Sequence, residues 1–352
     1  MPMLPSGVFA QDYSADRALV RTKPQWLALG IFVVALLLAP AVLGERYAAL
    51  ANVMMITAVA VIGLQLTMGY AGQINLGQAA LMGVGAYAAG FCATQLGWPF
   101  WLTIPVGGIA AAAFGALFGL SAARVKGFYL ALTTVAAQFI FHFAMQNLPA
   151  RWFGGSSGLR VPPLELAGFQ LTTDIPLYYF NLAVAAAMFI GALGIARSRF
   201  GRVFVAVRDD DIAASMVGVD IVAAKVLAFL VGAFYAGIAG ALWAYYIRFV
   251  AVEQFTLFNS VWLVAMVIIG GTGSVVGALI GVLVIRGLQE LVTASGPTLL
   301  ELFPQLGGSI VFATTNIVLG LLIALFVIKE PRGLMYRWHV LKHSWRLWPF
   351  PY

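Results

Sequence analysis

Long apolar runs separated by short polar joints make up most of this chain, and each run has the length of a bilayer. A spanning helix needs about 20 mostly apolar residues. Runs of that kind extend over 26–43, 49–69, 79–95, 99–123, 128–148, 177–196, 222–246 and 306–328. The stretch 259–292 is long enough for two passes, with a break at 270–274 (GGTGS) that leaves the first one short. The pattern predicts an all-α integral membrane protein, a polytopic helical bundle of about ten transmembrane spans over 26–328. A polar tail (1–25) precedes it and a basic tail (329–352) follows. Ten spans with both ends on one side divide into two halves of five of opposite orientation, which is the arrangement of an inverted repeat.

Composition agrees with this reading. Of 352 residues, 62% are hydrophobic and 9% charged, whereas soluble chains are about half apolar and a quarter charged. There is too little polar surface here to cover a water-soluble core. The first 25 residues lack the apolar core and small-residue cleavage site of a secretory signal, so they read as a tail. Cys92 lies in an apolar run and reads as a small buried hydrophobe. The net charge of +7 does not point to nucleic acid, because the basic residues flank apolar segments. With the N-terminus placed inside, fifteen of the 20 lysines and arginines fall on the inner side. Arg46, Arg151, Arg160 and Arg248 fall outside, and Arg286 lies within a span. The positive-inside rule predicts that bias. Both termini are then cytoplasmic, 149–176 is the main external loop, and 197–221 is cytoplasmic.

Polar residues inside the spans gather in two places. Gln65, Gln73, Asn75 and Gln78 lie in QLTMGYAGQINLGQ, whose glycines suggest a broken or re-entrant helix. Tyr129, Thr133, Thr134, Gln138 and His142 lie in one span, with Thr134, Gln138 and His142 four apart on one face. Either the two groups line a pathway or they hydrogen-bond between helices. His142 alone reads as a hydrogen-bonded core histidine rather than a metal ligand, since the other two histidines lie near the C-terminus. Arg286 and Glu290 are spaced to neutralise each other as an i,i+4 pair. Gly232, Ala236 and Gly240 recur every fourth residue, as do Gly273, Gly277 and Gly281. Such faces let helix backbones approach closely, within the chain or against a partner.

The chain has no GxxxxGK[ST], HExxH, CxxC or GxSxG, and no acidic residue sits deep in a span. It has no nucleotide cradle, no catalytic constellation and no metal or cofactor site to read. An enzyme or an ion-coupled carrier would have little chemistry to use. A pathway powered from outside the chain fits better.

One cytoplasmic segment, 198–220, is densely charged. Asp209, Asp210 and Asp211 can cap a short helix, and Gly218 can stop it. Such a helix is either a handle for a soluble partner or a solvated joint. Around it, Ala213, Ala214 and Gly218 resemble the coupling-loop motif of ABC importer permeases. GYAGQINLGQAALMGVGAYAAG, GFYLALTTVAAQ, GRVFVAVRDDDIAASMVGVDIVAAKVLAFLVGAFYAGIAGALWAYY, GGTGSVVGALIG and FVIKEPRGL complete the match. In this order and spacing, from about residue 45 to 335, the chain resembles the branched-chain amino-acid permease family of ABC importers, in its LivM-like branch. Asn75 and Gln78 stand where that family more often has serine and histidine.

The resemblance implies a permease without its own ATPase site, in a bacterial inner membrane. It implies four partners: a homologous second permease (LivH-like), two cytoplasmic ABC ATPases and a periplasmic binding protein. The coupling residues would be Arg208, Asp209, Asp210, Asp211, Ala213, Ala214 and Gly218. Ala214→Glu or Gly218→Arg is then expected to uncouple uptake from ATP hydrolysis with the fold intact. Branched-chain amino acids lead among the implied solutes. Urea, short amides and aromatic or other carboxylates are the alternatives, and a self-sufficient secondary carrier is the competing mechanism.

Overall fold

The structure, a computed structural model, describes residues 23–302 apart from 126, 167 and 168, together with most of 317–347. The tail over 1–22 and the first part of the span expected at 306–328 lie outside the described residues. Twelve helices carry the argument. They are α1 (Lys23–Leu43), α2 (Glu45–Leu64), α3 (Gln78–Gln95), α4 (Phe100–Arg124), α5 (Phe128–Asn147), α6 (Asp174–Arg197) and α7 (Arg199–Asp209). After them come α8 (Asp211–Met216), α9 (Ile221–Ile247), α10 (Leu257–Gly270), α11 (Val275–Leu302) and α12 (Leu334–Leu347). Among the described residues, eight helical segments are long and apolar enough to cross a membrane. α3 adds an 18-residue helix at the centre of the bundle. The chain is an all-α polytopic membrane protein, and the break expected at 270–274 separates α10 from α11.

The bundle is built around α9. Its small residues let neighbours touch backbone to backbone, which is how helices associate when lipid supplies no hydrophobic drive between them. A Cβ at Gly237 would strike the carbonyl of Gly107 on α4, and one at Gly240 the carbonyl of Met82 on α3. One at Gly232 would meet Thr67 and the Gly63 carbonyl at the end of α2. Ala236 is fully buried on the same side. Gly277 and Gly281 do the same for α11, lying against the backbone of α10 at Gly270 and Met266. Gly273 is not part of that face. It sits in the break itself at φ +82. The recurring small residues therefore pack helices of this chain against one another.

Outward faces are apolar. Phe139 is 61% exposed and Phe143 is 69% exposed, as suits a surface that meets hydrocarbon or another membrane subunit. Pro40 within α1 cannot donate to the carbonyl of Leu36. The hydroxyl of Tyr178 on α6 donates to that carbonyl at 2.7 Å, and Tyr179 donates to the carbonyl of Leu37 at 3.0 Å. A freed carbonyl at membrane depth is thus satisfied by a neighbouring helix.

Two ends follow from the pairing. At one end, the loop after α5 forms a two-residue strand, β1 (Leu159–Arg160), and a hairpin of β2 (Leu164–Leu166) and β3 (Phe169–Leu171). β1 pairs antiparallel with β4 (Phe249–Val250) beyond α9, and Arg248 donates to the carbonyl of Thr172. The other end gathers the α2–α3 joint, α7, α8, the α10–α11 break and α12.

Arg286 and Glu290 do not pair as their spacing suggests. Glu290 accepts from Arg46 on α2 at 2.9 Å. Arg286 donates to Gln289 and to the hydroxyl of Thr57, midway along α2. The side chain reaches across to the adjacent helix because α2 offers oxygen acceptors there. Glu290, nearer the end of the apolar span, finds the more accessible cation.

Candidate coupling and pathway site

The charged segment is a chain of three capped helices. The Ser198 hydroxyl accepts from the amide of Phe200 at 3.1 Å and starts α7. Asp210, in extended conformation, starts α8, its carboxylate accepting from the amides of Ile212 at 2.9 Å and Ala213 at 3.0 Å. Asp220 starts α9, accepting from Ala223 at 3.0 Å. A carboxylate at a helix start satisfies orphan N–H groups and meets the positive end of the helix dipole. Gly218 has φ +85, and the amide of Val219 beyond it donates to the carbonyl of Ala214 at 3.1 Å. That left-handed turn ends α8 and reverses the chain into α9.

The six residues of α8 have two faces. Ala214 is buried against Val207 and Ala224. Ala213, Ile212 (65% exposed), Met216 (83%) and Val217 (80%) face outward. Ala214 is thus a packing residue, and glutamate there would disturb the hinge itself. Arginine at Gly218 would be strained by its positive φ. Glutamate at Ala214 would bury a charge against Val207 and Ala224, and arginine at Gly218 would add backbone strain in open space, so the outward residues are the cleaner ones to vary.

Two links tie this segment to the spans. Lys225 on α9, nearly buried, lies 3.6 Å from the carboxylate of Asp211. Nε and Nη2 of Arg208 both donate to one oxygen of Asp209, and Nη1 donates to the carbonyl of Gly69 at 2.8 Å. Gly69 belongs to a π-turn, Gln65–Tyr70, that ends α2. Ala71, buried after that turn, packs with Phe204 of α7 and Ala228 of α9.

Behind Arg208 lies the amide-rich joint between α2 and α3. The residues predicted there converge, and nearly every polar group has a partner. The Leu76 amide donates to Thr134 at 3.0 Å, and that of Gly77 to Asn75 at 2.9 Å. Asn75 donates to Gln78 at 2.9 Å, and Gln78 to the carbonyl of Ala60 on α2 at 3.0 Å. The first free amides of α3, at Ala79 and Ala80, donate to Ser260 of α10 and to Gln138 of α5. Gln138 also donates to the carbonyl of Phe255. A helix that begins inside the bilayer has orphan N–H groups and no water to meet them, and side chains from two other spans take that role.

Not every predicted residue joins this network. Gln65 donates to the carbonyl of Gly271 at 3.1 Å, bridging to the α10–α11 break, while its own oxygen has no partner. Gln73 is 2% exposed and neither of its amide atoms has a partner. It lines a cavity of about 350 Å³ with Arg208, Asp211 and Lys225. His142 is half-buried and shares a hydrogen bond with Gln146 at 3.2 Å. Tyr129 is 70% exposed, and Thr133 bonds only back to its carbonyl. Tyr129 and Thr133 thus stand apart from Thr134 and Gln138.

Several polar residues of equal weight escape the sequence reading. Ser260 is fully buried and serves both Ala79 and Gln138. Asn52 and Asn181 bond each other at 2.9 Å between α2 and α6, and Thr103 shares a 2.6 Å bond with Tyr245. Single polar residues in apolar runs give no periodic signal. Their only mark in the sequence is the expense of leaving them unpaired in lipid.

No solved structure gives a significant match to this chain. Curated relatives do. The chain is 28% identical to the high-affinity branched-chain amino acid transport system permease protein LivM of Escherichia coli (strain K12), over 289 residues. That alignment covers 74% of this chain and 68% of the relative. The LivM protein of Salmonella typhimurium is 27% identical over 300 residues, covering 78% of this chain and 70% of the relative. A sequence model described as branched-chain amino acid transport system / permease component matches residues 46–327, from the start of α2 to the last predicted span. That match takes in both helix breaks and the capped hinge between α7 and α9, and the chain therefore belongs to this family of multi-pass membrane permeases.

Proposed function

We propose that the chain is the transmembrane permease subunit of an ABC importer in a bacterial inner membrane. It moves branched-chain or related hydrophobic amino acids into the cytoplasm, with ATP hydrolysed by partner subunits. The observation that carries this reading is α8, a short helix with an apolar outer face held between the carboxylate caps of Asp210 and Asp220. Exposed apolar residues rimmed by charges mark an interaction site. The partner is an ABC ATPase, one of two, on the cytoplasmic side. That side is assigned because the end holding α8 also carries Arg199, Arg202, Arg208, Lys225, Arg332, Arg337 and Lys342. Both termini are then cytoplasmic.

In this mechanism no bond forms or breaks in the chain. When the ATPases close, α8 is pushed. The push passes through Asp211 to Lys225 on α9, and through Arg208 to Gly69 at the end of α2. The backbone contacts of α9 with α2, α3 and α4 make these spans move together. A homologous second permease completes the pathway. A periplasmic binding protein docks on the β1–β4 and β2–β3 end and delivers the solute.

Met216→Glu tests the reading. Met216 is 83% exposed, so thermal unfolding of the chain is expected to be unchanged. Loss of an interface anchor typically weakens binding by about 10- to 100-fold, and solute-stimulated ATP hydrolysis by the assembled importer falls accordingly. Normal uptake by the variant would remove α8 from the mechanism. Gradient-driven uptake by the purified chain alone in liposomes would replace the importer with a self-sufficient carrier.

A further inference from the structure

The α10–α11 break opens into a second cavity, of about 540 Å³, and its lining has one sign of charge. Arg332 and His339 reach it from the α12 side, and Arg208, already paired with Asp209, borders it from the end of α7. Thr272, Ser274 and Tyr336 add hydroxyl groups, and no acidic residue lines it. The backbone around it is glycine-rich, with Gly271 at φ +107 and Gly273 at φ +82. The first turn of α12 sits on that loop, Gly333 lying against Gly271. The N-terminus of α11, a 28-residue helix, begins directly after it. Basic side chains and hydroxyls together form a receptor for a phosphate-type anion.

Position names the source of the anion. Apolar spans end at Gly270 and begin at Val275, so the cavity lies at the level where hydrocarbon gives way to headgroups. α12 carries Tyr336, Trp338 and Leu341 exposed beside Arg337 and Lys342. Exposed aromatics and basic residues on one helix match the chemistry of the membrane interface. A guanidinium and an imidazole facing a shared anionic headgroup is the arrangement expected for a lipid bound at a specific place.

We propose that this cavity binds the phosphate of an anionic phospholipid, held by Arg332 and His339. The inference uses from the functional reading only that the chain spans a bilayer, and it stands whichever solute is carried.

The test is native mass spectrometry of the full-length chain, released from micelles containing phosphatidylglycerol, phosphatidylcholine or both. The wild-type chain is expected to retain phosphatidylglycerol with about tenfold preference, as two basic groups near an anionic headgroup allow. The double variant Arg332→Gln, His339→Gln is expected to lose that preference. Arg332→Lys, which keeps the charge but not the guanidinium packed over Tyr336, is expected to keep most of it. Lys342→Gln, on the same helix but outside the cavity, is expected to keep all of it. Equal retention of the two lipids by the wild-type chain overturns the proposal, with no variant needed. If excess inorganic phosphate empties the site, the occupant is a free anion and the lipid assignment fails. If the double variant keeps its lipid but no longer assembles with a soluble partner, the cavity is a protein-docking surface and the proposal falls.

Discussion

Two joints near Arg208 solve the same physical problem in opposite ways. Both separate one helix from the next, so both leave backbone groups without helical partners. The joint before α3 is closed by side chains. Thr134, Gln138 and Ser260 come from α5 and α10 to accept the amides of Leu76, Ala80 and Ala79. The joint between α10 and α11 is shaped by glycines instead, two of them at positive φ, and its space is a basic cavity rather than a polar core. A polar network that satisfies Asn75, Gln78 and the first amides of α3 within the chain rigidifies, leaving the unpartnered Gln73 as what it can offer a ligand. A glycine loop with converging cations is incomplete alone and gains from an anion. The comparison separates residues that hold the permease together from residues that can meet something else.

Breaking the closed joint has the largest expected effect. Gln138→Leu strands the Ala80 amide and the Phe255 carbonyl, and each buried orphan costs about 1–3 kcal/mol, so a loss of roughly 2–6 kcal/mol is expected. Thermal unfolding followed by tryptophan fluorescence in micelles reads it. An unchanged midpoint would mean the network is not structural, and would return Gln138 to the pathway. Ser260→Ala removes a single acceptor, from Ala79, and should lower stability by about 1–3 kcal/mol on the same scale. The open joint should be more tolerant. Gly273→Ala must hold a left-handed residue, at about 1–2 kcal/mol, and places a methyl group 3.1 Å from the Arg208 guanidinium. Its larger effect is expected on ATP-driven uptake, measured at matched protein levels. A Gly273→Ala chain that unfolds as readily as Gln138→Leu would erase the distinction between the joints.

Much of the fold is legible in the sequence, because membrane spans are set by length and hydropathy and need no partner to be recognised. The helix breaks at 71–77 and 271–274 are legible too, from glycine clusters among apolar residues. So is the cap of α8, since Asp210 acts within two or three residues of itself. Coupling roles for Arg208 through Gly218 rest on resemblance and await the uptake measurement.

Side-chain direction is what the linear pattern leaves open. Ala213 and Ala214 are adjacent and alike, yet one faces outward and the other packs on Val207 and Ala224. Thr133 and Thr134 divide in the same way. A helix turns about 100° per residue, so neighbours in sequence part company unless the burying face is known. Arg286 and Glu290 carry the spacing of an ion pair, but their partners come from α2. Local spacing fixes which groups can meet within one helix. Only tertiary packing brings up a competing acceptor from another span, and in a medium without water the nearest satisfied geometry prevails. Sequence alone thus determined where the chain crosses the bilayer, where it breaks and how its hinge is capped. The fold decided which polar groups are consumed in holding it and which remain turned toward a ligand or a partner.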